Sequence, residues 1–139
     1  MTKLAQETAS ETVSELPLPA QTAELGIARR YAEDAAAAFG LDAEASYDFT
    51  YAVNEAVTNA IRHGAPDEHG QIRLSAVIDD QRLTLSVRDY GTFKLPIPDH
   101  SISSDHGRGL ALMASLTDEV ELFLEPGSTV VQLSKKRGD

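Results

Sequence analysis

Residues 51–64 read YAVNEAVTNAIRHG. Ala52, Val53, Ala56, Val57, Ala60 and Ile61 recur at the three- and four-residue spacing of a helix that buries one stripe. Glu55, Asn59, Arg62 and His63 collect on the other side of the same helix. Asn is a mediocre helix former, because its short amide competes with the backbone, so Asn59 in mid-span needs a reason. Two readings are open. The polar side is a solvated face, or a carboxylate and a neutral oxygen are aimed at one metal–phosphate group. Mg2+ prefers oxygen ligands and keeps several waters, so one protein ligand plus phosphates can suffice. Glu55 would then be free to accept a proton.

Phe49 extends the apolar stripe upstream, Asp42 can cap the helix, and Gly64 and Pro66 stop it. A preceding helix is expected over 22–39, with Leu25, Ala28, Ala32, Ala35 and Phe39 at helical spacing. Thr22 can cap its start and Gly40 can close its end. The stretch SELPLPA, 14–20, contains Pro17 and Pro19. Proline lacks a donor, so this is an edge strand or an extended lead-in and not a central strand.

Downstream, Ile72, Leu74, Ala76 and Ile78 alternate, as do Leu83, Leu85 and Val87, with DDQ between the two runs. This is the pattern of a β-hairpin. Residues 90–106 show no period, and a loop of that length in a small domain is usually functional or disordered. A short helix with Leu110, Met113 and Leu116 on one side follows, then a second hairpin, EVELFLEPGSTVVQLS, turning at Pro126–Gly127. Helices segregated from a mainly antiparallel, mixed sheet make an α+β two-layer sandwich with the helices on one face.

Composition bounds the function. The chain of 139 residues suits one domain. A chain of this size buries roughly 68% of its unfolded surface and needs no staple. It has no cysteine, which excludes disulfides, thiolate metal sites and a cysteine nucleophile. No apolar run approaches the roughly 20 residues of a membrane span. The first 20 residues have no signal-peptide core, so a cytoplasmic protein is expected. The formal charge of −10 argues against direct nucleic-acid binding, which needs clustered Lys and Arg. The basic cluster KKRGD, 135–139, is expected as a solvated tail, and residues 1–12 as a disordered lead segment.

Two further stretches carry chemistry. In RLTLSVRDYG, 82–91, Asp89 continues the inward parity of Leu83, Leu85 and Val87. Either the strand has ended and Asp89 starts a turn with Gly91, or a carboxylate is buried facing a ligand with N–H donors, such as the amine of adenine. In HGRGLALM, 106–113, Gly107 and Gly109 precede a helix start, where free amides favour anions. Glycine pairs also make ordinary turns.

In this order and spacing, NEAVTNAIRHG, RDYG and HGRGLALM resemble the N box and the two glycine boxes of the GHKL ATP-binding fold, the Bergerat-type fold of histidine kinases, gyrase-type topoisomerases and mismatch-repair ATPases. The resemblance spans about 13–134, the expected ATP-binding domain, and is closest to the bacterial anti-sigma-factor serine kinases. It implies ATP and Mg2+ as ligands, with Glu55 as catalytic base and Asn59 as the Mg2+ ligand. His63 and Gly64 end the N box near the nucleotide. Asp89 and Gly91 belong to the adenine side, and Gly107, Arg108, Gly109 and Leu110 to the phosphate side. It implies 90–106 as a short ATP lid. It further implies a homodimer using the N-terminal strand and helix-one region, with a sigma factor and a STAS-type anti-anti-sigma protein as partners and a serine of the latter as phosphate acceptor. One position departs from the family. Asp-x-Gly-x-Gly is common there, whereas DYGTF places Phe93 at the second glycine, a bulky side chain where a hinge is usual. Two other functions stay open: an anti-sigma binding module without kinase activity, and a stand-alone histidine-kinase-like catalytic domain.

Overall fold

Alternation along two neighbouring runs builds the centre of the molecule. The computed structural model describes residues 11–64, 70–90 and 109–137, apart from the side chains of His63 and Gly64. In it, β2 (Gln71–Ile78) and β3 (Arg82–Asp89) pair antiparallel, with Leu74 opposite Val87 and Ala76 opposite Leu85. The connection is closed by Asp79, whose Oδ1 accepts the amides of Gln81 and Arg82 at 2.8 and 2.9 Å. β1 (Thr12–Pro19) pairs with β2. On the other side β5 (Ser128–Lys136) pairs with β3, and β4 (Glu119–Glu125) with β5. The order is β1-β2-β3-β5-β4. Every one of these pairings is antiparallel, so the sheet expected to be mixed shows no parallel pair among the described residues. β1 lies at the edge, where Pro17 and Pro19 leave no central ladder position unpaired. The β4–β5 turn has Gly127 at φ 81°, a left-handed geometry that a side chain would strain.

Two helices cover one face. α1 (Leu25–Phe39) is entered through a 3-10 turn, Thr22–Glu24. Thr22 lies inside that turn and no side chain caps either start, so the expected Thr22 cap does not form. Gly40 closes the helix at φ 95°, where its own amide and that of Leu41 both return to the Ala36 carbonyl. α2 (Ala43–Gly64) starts as expected, with Asp42 Oδ1 accepting the Ala45 amide at 2.8 Å. A third helix, α3, is described over 109–116.

The core lies between the helices and the sheet. Ala28, Ala32, Ala35, Ala36 and Phe39 of α1 and Phe49, Ala52, Val53, Ala56, Val57 and Ala60 of α2 are buried with Ile72, Leu74, Leu83, Leu85 and Val87. The many alanines let the two helix backbones sit close to each other and to the strands. Among the described residues no helix is long and apolar enough to cross a membrane.

The basic run that was expected as a tail begins inside the sheet. Lys135 and Lys136 end β5. Arg137 lies 4.1 Å over the Phe39 ring and donates to the carbonyls of Phe39 and Asp80, each at 2.9 Å. It thereby ties the end of α1 to the β2–β3 turn. Arg137→Ala is expected to lower unfolding free energy by about 1–2 kcal/mol. Arg137→Lys should recover less than half, because an ammonium cannot form both bonds and stack. Urea denaturation midpoints measure this, and equal midpoints for all three proteins would show that the clamp contributes nothing.

Candidate functional site

With the apolar stripe of α2 turned to the sheet, the row Tyr47, Tyr51, Glu55 and Asn59, each four residues apart, faces away from it. A solvated face would leave Glu55 and Asn59 exposed, yet both are half-buried. The first described turn of α3 covers them. Gly109 is buried there, and a Cβ added to it would lie 2.8 Å from Asn59 Nδ2 and 3.4 Å from Glu55 Oε2. Any side chain at 109 would occupy the space in front of the amide and the carboxylate. Met113, fully buried one turn on, fixes α3 against the core, and Leu110 packs on the same cluster. Gly109 and the polar row of α2, distant in sequence, therefore form one cradle of a carboxylate, an amide and bare helix backbone.

A second polar pair lies on the same face of the sheet. The strand has not ended before Asp89. This residue is the last of β3, only 8% exposed, and stands in register with Ile72 on one side and Thr129 on the other. Directly opposite residues of an antiparallel pair project to the same face, so Asp89 and Thr129 are neighbours. Thr129 is 7% exposed and its Oγ1 has no hydrogen-bond partner among the described residues. A buried hydroxyl without a partner is costly, and a ligand that donates or accepts there removes the cost.

The sequence reading had not singled out Thr129. The signal was present, because Thr129 shares the inward parity of Val131 and Leu133, as Asp89 shares that of Val87. The pair is braced from the outer face. Arg88 Nη1 donates to Ser128 Oγ at 2.7 Å and to Glu125 Oε1 at 2.9 Å, tying the β4–β5 turn to the end of β3.

The structure thus brings Glu55, Asn59 and Gly109 together, and separately Asp89 with Thr129. His63 and Gly64 end α2, and nothing is described of their side chains. Gly91, Phe93, Gly107 and Arg108, with most of the expected lid, lie outside the described residues. Among the described residues, no group of three or more His, Cys, Asp or Glu is placed to hold a metal. A cation here would depend on ligand phosphates and water beside a single amide oxygen, a donor set that suits Mg2+.

Residues 18–135 match the family model of the histidine kinase-like ATPase domain. The chain is 33% identical to serine-protein kinase RsbW of Bacillus pumilus (strain SAFR-032), over 94% of this chain and 93% of that protein. It is 30% identical to the protein of the same name from Bacillus subtilis (strain 168), over 90% and 86%. Among solved structures it is similar to the RsbU and RsbW domains of Rv1364c from Mycobacterium tuberculosis, with a TM-score of 0.70 at 23% identity. That match covers 91% of this chain and 33% of the larger one, and shows likeness of fold.

The cradle makes Gly109 sensitive to a single methyl group. Gly109→Ala should fold, because the atom it meets is the movable end of the Asn59 side chain. The displaced amide should weaken ATP binding by about tenfold, the loss of one charge-assisted contact. Calorimetric titration with Mg2+ and ATP, beside a thermal melt, checks this. Unchanged affinity would show that Asn59 plays no part in nucleotide binding.

Proposed function

We propose, on the premise that this chain belongs to the histidine kinase-like ATPase domain family and to its branch of RsbW-type serine-protein kinases, that it is an anti-sigma regulatory kinase. In this reading it binds ATP with Mg2+, transfers the γ-phosphoryl group to a serine of a STAS-type anti-anti-sigma protein, and sequesters a sigma factor. Phosphorylating the antagonist keeps the inhibitor free to hold its sigma factor. The seating of Gly109 on Asn59 and Glu55 supports this reading most directly.

Each residue has a task that its position can serve. Asn59 offers an amide oxygen to the cation. Glu55, one turn before it, accepts the proton of the seryl hydroxyl as that oxygen attacks phosphorus and the bond to the ADP leaving oxygen breaks. Bound Mg2+ supplies neutralisation of phosphate charge. Backbone amides at the start of α3, with Gly107, Arg108, Gly109 and Leu110, receive the phosphates. By resemblance His63, at the end of α2, serves near the nucleotide. Asp89 accepts from the exocyclic amine of adenine and Thr129 supplies a hydroxyl beside it, while Gly91 follows on the adenine side. Most of the catalysis is then positioning and electrostatics.

By resemblance the working unit is a homodimer built on β1 and α1, where Val13 and Ile27 are exposed apolar side chains. Sedimentation of the purified chain tests the dimer. Phe93, where a glycine is usual, favours a second reading, an anti-sigma module without transfer activity. Labelled ATP mixed with the chain and a STAS-type protein separates the two. Phosphate on serine supports the kinase, and label on histidine or nowhere counts against it.

The assigned roles differ in what they cost when removed. Glu55→Gln should slow transfer by about 10²–10⁴ and leave ATP affinity nearly unchanged. Asn59→Ala should instead abolish the Mg2+ dependence of ATP binding. Equal, metal-independent losses in both variants would contradict the division of labour.

The adenine side makes its own prediction. Guanine presents a carbonyl where adenine has an amine, so Asp89 should disfavour GTP by about 1–3 kcal/mol or more. Asp89→Ala should lose ATP affinity. Indistinguishable binding of ATP and GTP by the unmutated chain would sink the assignment.

A further inference from the structure

Outside the cradle, one feature of α2 has no structural explanation. Thr50 is 8% exposed, and its Oγ1 has no hydrogen-bond partner among the described residues. It lines a groove of about 430 Å³ between α1 and α2, together with Arg29 and Glu33 of α1 and Tyr47, Tyr51 and Asn54 of α2. Tyr47 and Tyr51 are 67% and 47% exposed, and their rings meet edge to face with centroids 6.2 Å apart. Arg29 and Glu33, one turn apart on α1, make no ion pair among the described residues.

The groove does not stand alone. Its tyrosine wall is the same row of α2 that carries Glu55 and Asn59. Tyr51 precedes Glu55 by one turn, about 6 Å along the axis. Asn54 adjoins Glu55 in sequence. Whatever fills the groove is held beside the group assigned as proton acceptor.

We propose that this groove seats the segment of the protein substrate that adjoins its acceptor serine. The proposal rests on the kinase reading above. A serine within a folded protein can reach Glu55 only if neighbouring parts of that protein lie on the surface around it, and the α1–α2 groove is a recess on that surface among the described residues. Its make-up is that of a protein-binding surface. Tyrosine and arginine are the side chains that carry binding energy between proteins, and exposed rings gain most from being covered. Thr50 gains a partner that none of the described residues supplies. Arg29 and Glu33 specify the chemistry of the occupant: a segment that presents a carboxylate to the guanidinium and a cation to the carboxylate, with an apolar surface between them for the rings. The groove is then a specificity element, separate from the nucleotide cradle.

The test uses the full chain, with ATP and each STAS-type anti-anti-sigma protein of the same cell as purified acceptor. Tyr51→Ala should raise KM for the acceptor, and its calorimetric Kd, by about tenfold, the usual effect of truncating an aromatic anchor. ATP affinity and kcat at saturating acceptor should stay within about twofold, since the lost contact is to the protein substrate alone. Thr50→Val gives a readout that a structural role would not. Replacing an unpartnered hydroxyl by a methyl group should leave the melting temperature of the free chain equal or higher, and yet weaken acceptor binding.

Unchanged acceptor affinity in both variants overturns the proposal. So does a shift in sedimentation of the Tyr51→Ala chain by itself, which would assign the groove to a second copy, or a loss of ATP affinity as large as the loss for acceptor. Failure of the kinase reading is seen separately. If the unmutated chain binds an acceptor but labels none, transfer is disproved, and the acceptor affinities of the two variants still decide the groove. If the unmutated chain binds no acceptor at all, both are overturned.

Discussion

Ile72, Leu74 and Ala76 on β2 lie beside Leu83, Leu85 and Val87 on β3, and the alanine-lined faces of α1 and α2 press against them. This contact between one sheet face and two helices is the constraint from which the rest follows. A strand presents alternate side chains to opposite faces, so a slip of one residue would exchange the whole apolar set for Arg73, Ser75, Thr84 and Ser86. Burial of about 1.5–3 kcal/mol per large apolar side chain fixes the register firmly. Once it is fixed, Asp89 and Thr129 must face the helices, and the polar row of α2 must face away from the sheet.

Three buried polar groups sit where the pattern asks for apolar ones: Asp89, Thr129 and Thr50. The Thr50 and Thr129 hydroxyls have no partner among the described residues and lower stability unless something satisfies them, and sites where local rules are broken are where ligands and partners are to be sought. Asp89 and Thr129 stand at one end of the central strands, and Thr50 stands on α2 upstream of Glu55. The three therefore mark two surfaces that share one helix. Gly109 adds a fourth departure, a bare backbone in a buried turn of helix.

The outer face of the sheet does a different job. Arg73 pairs with Glu15, Arg82 with Glu119, and Arg88 with Glu125, each bridging neighbouring or next-neighbour strands. Hydrogen bonds from Arg82 and Arg88 hold the Glu119 and Glu125 carboxyls below the usual carboxylate range. A depressed carboxylate pKa contributes stability above the unfolded value and loses it as pH falls through the folded one. These pairs are exposed and screened, so their effect on stability is small. Their value here is geometric, because the Arg88 brace holds the β4–β5 turn beside Asp89 and Thr129.

Much of this was legible in the sequence because it is local. Period-two and period-3.6 spacing marked the strands and helices, Asp42 and Gly40 marked two helix ends, and Pro17 and Pro19 placed β1 at an edge. Thr22 misled, because a cap depends on the angle at which the chain enters, and a 3-10 turn took that position. The polar row on α2 was visible, but whether it met solvent was not, since its cover comes from α3, far along the chain. Thr129 became a neighbour of Asp89 only through the β3–β5 register, and Thr50 came to line a groove only through the docking of α1 on α2. The sequence by itself determined which side chains share a face. The tertiary structure alone decided what each face meets, because that depends on pairing and packing between segments whose contacts no local period encodes.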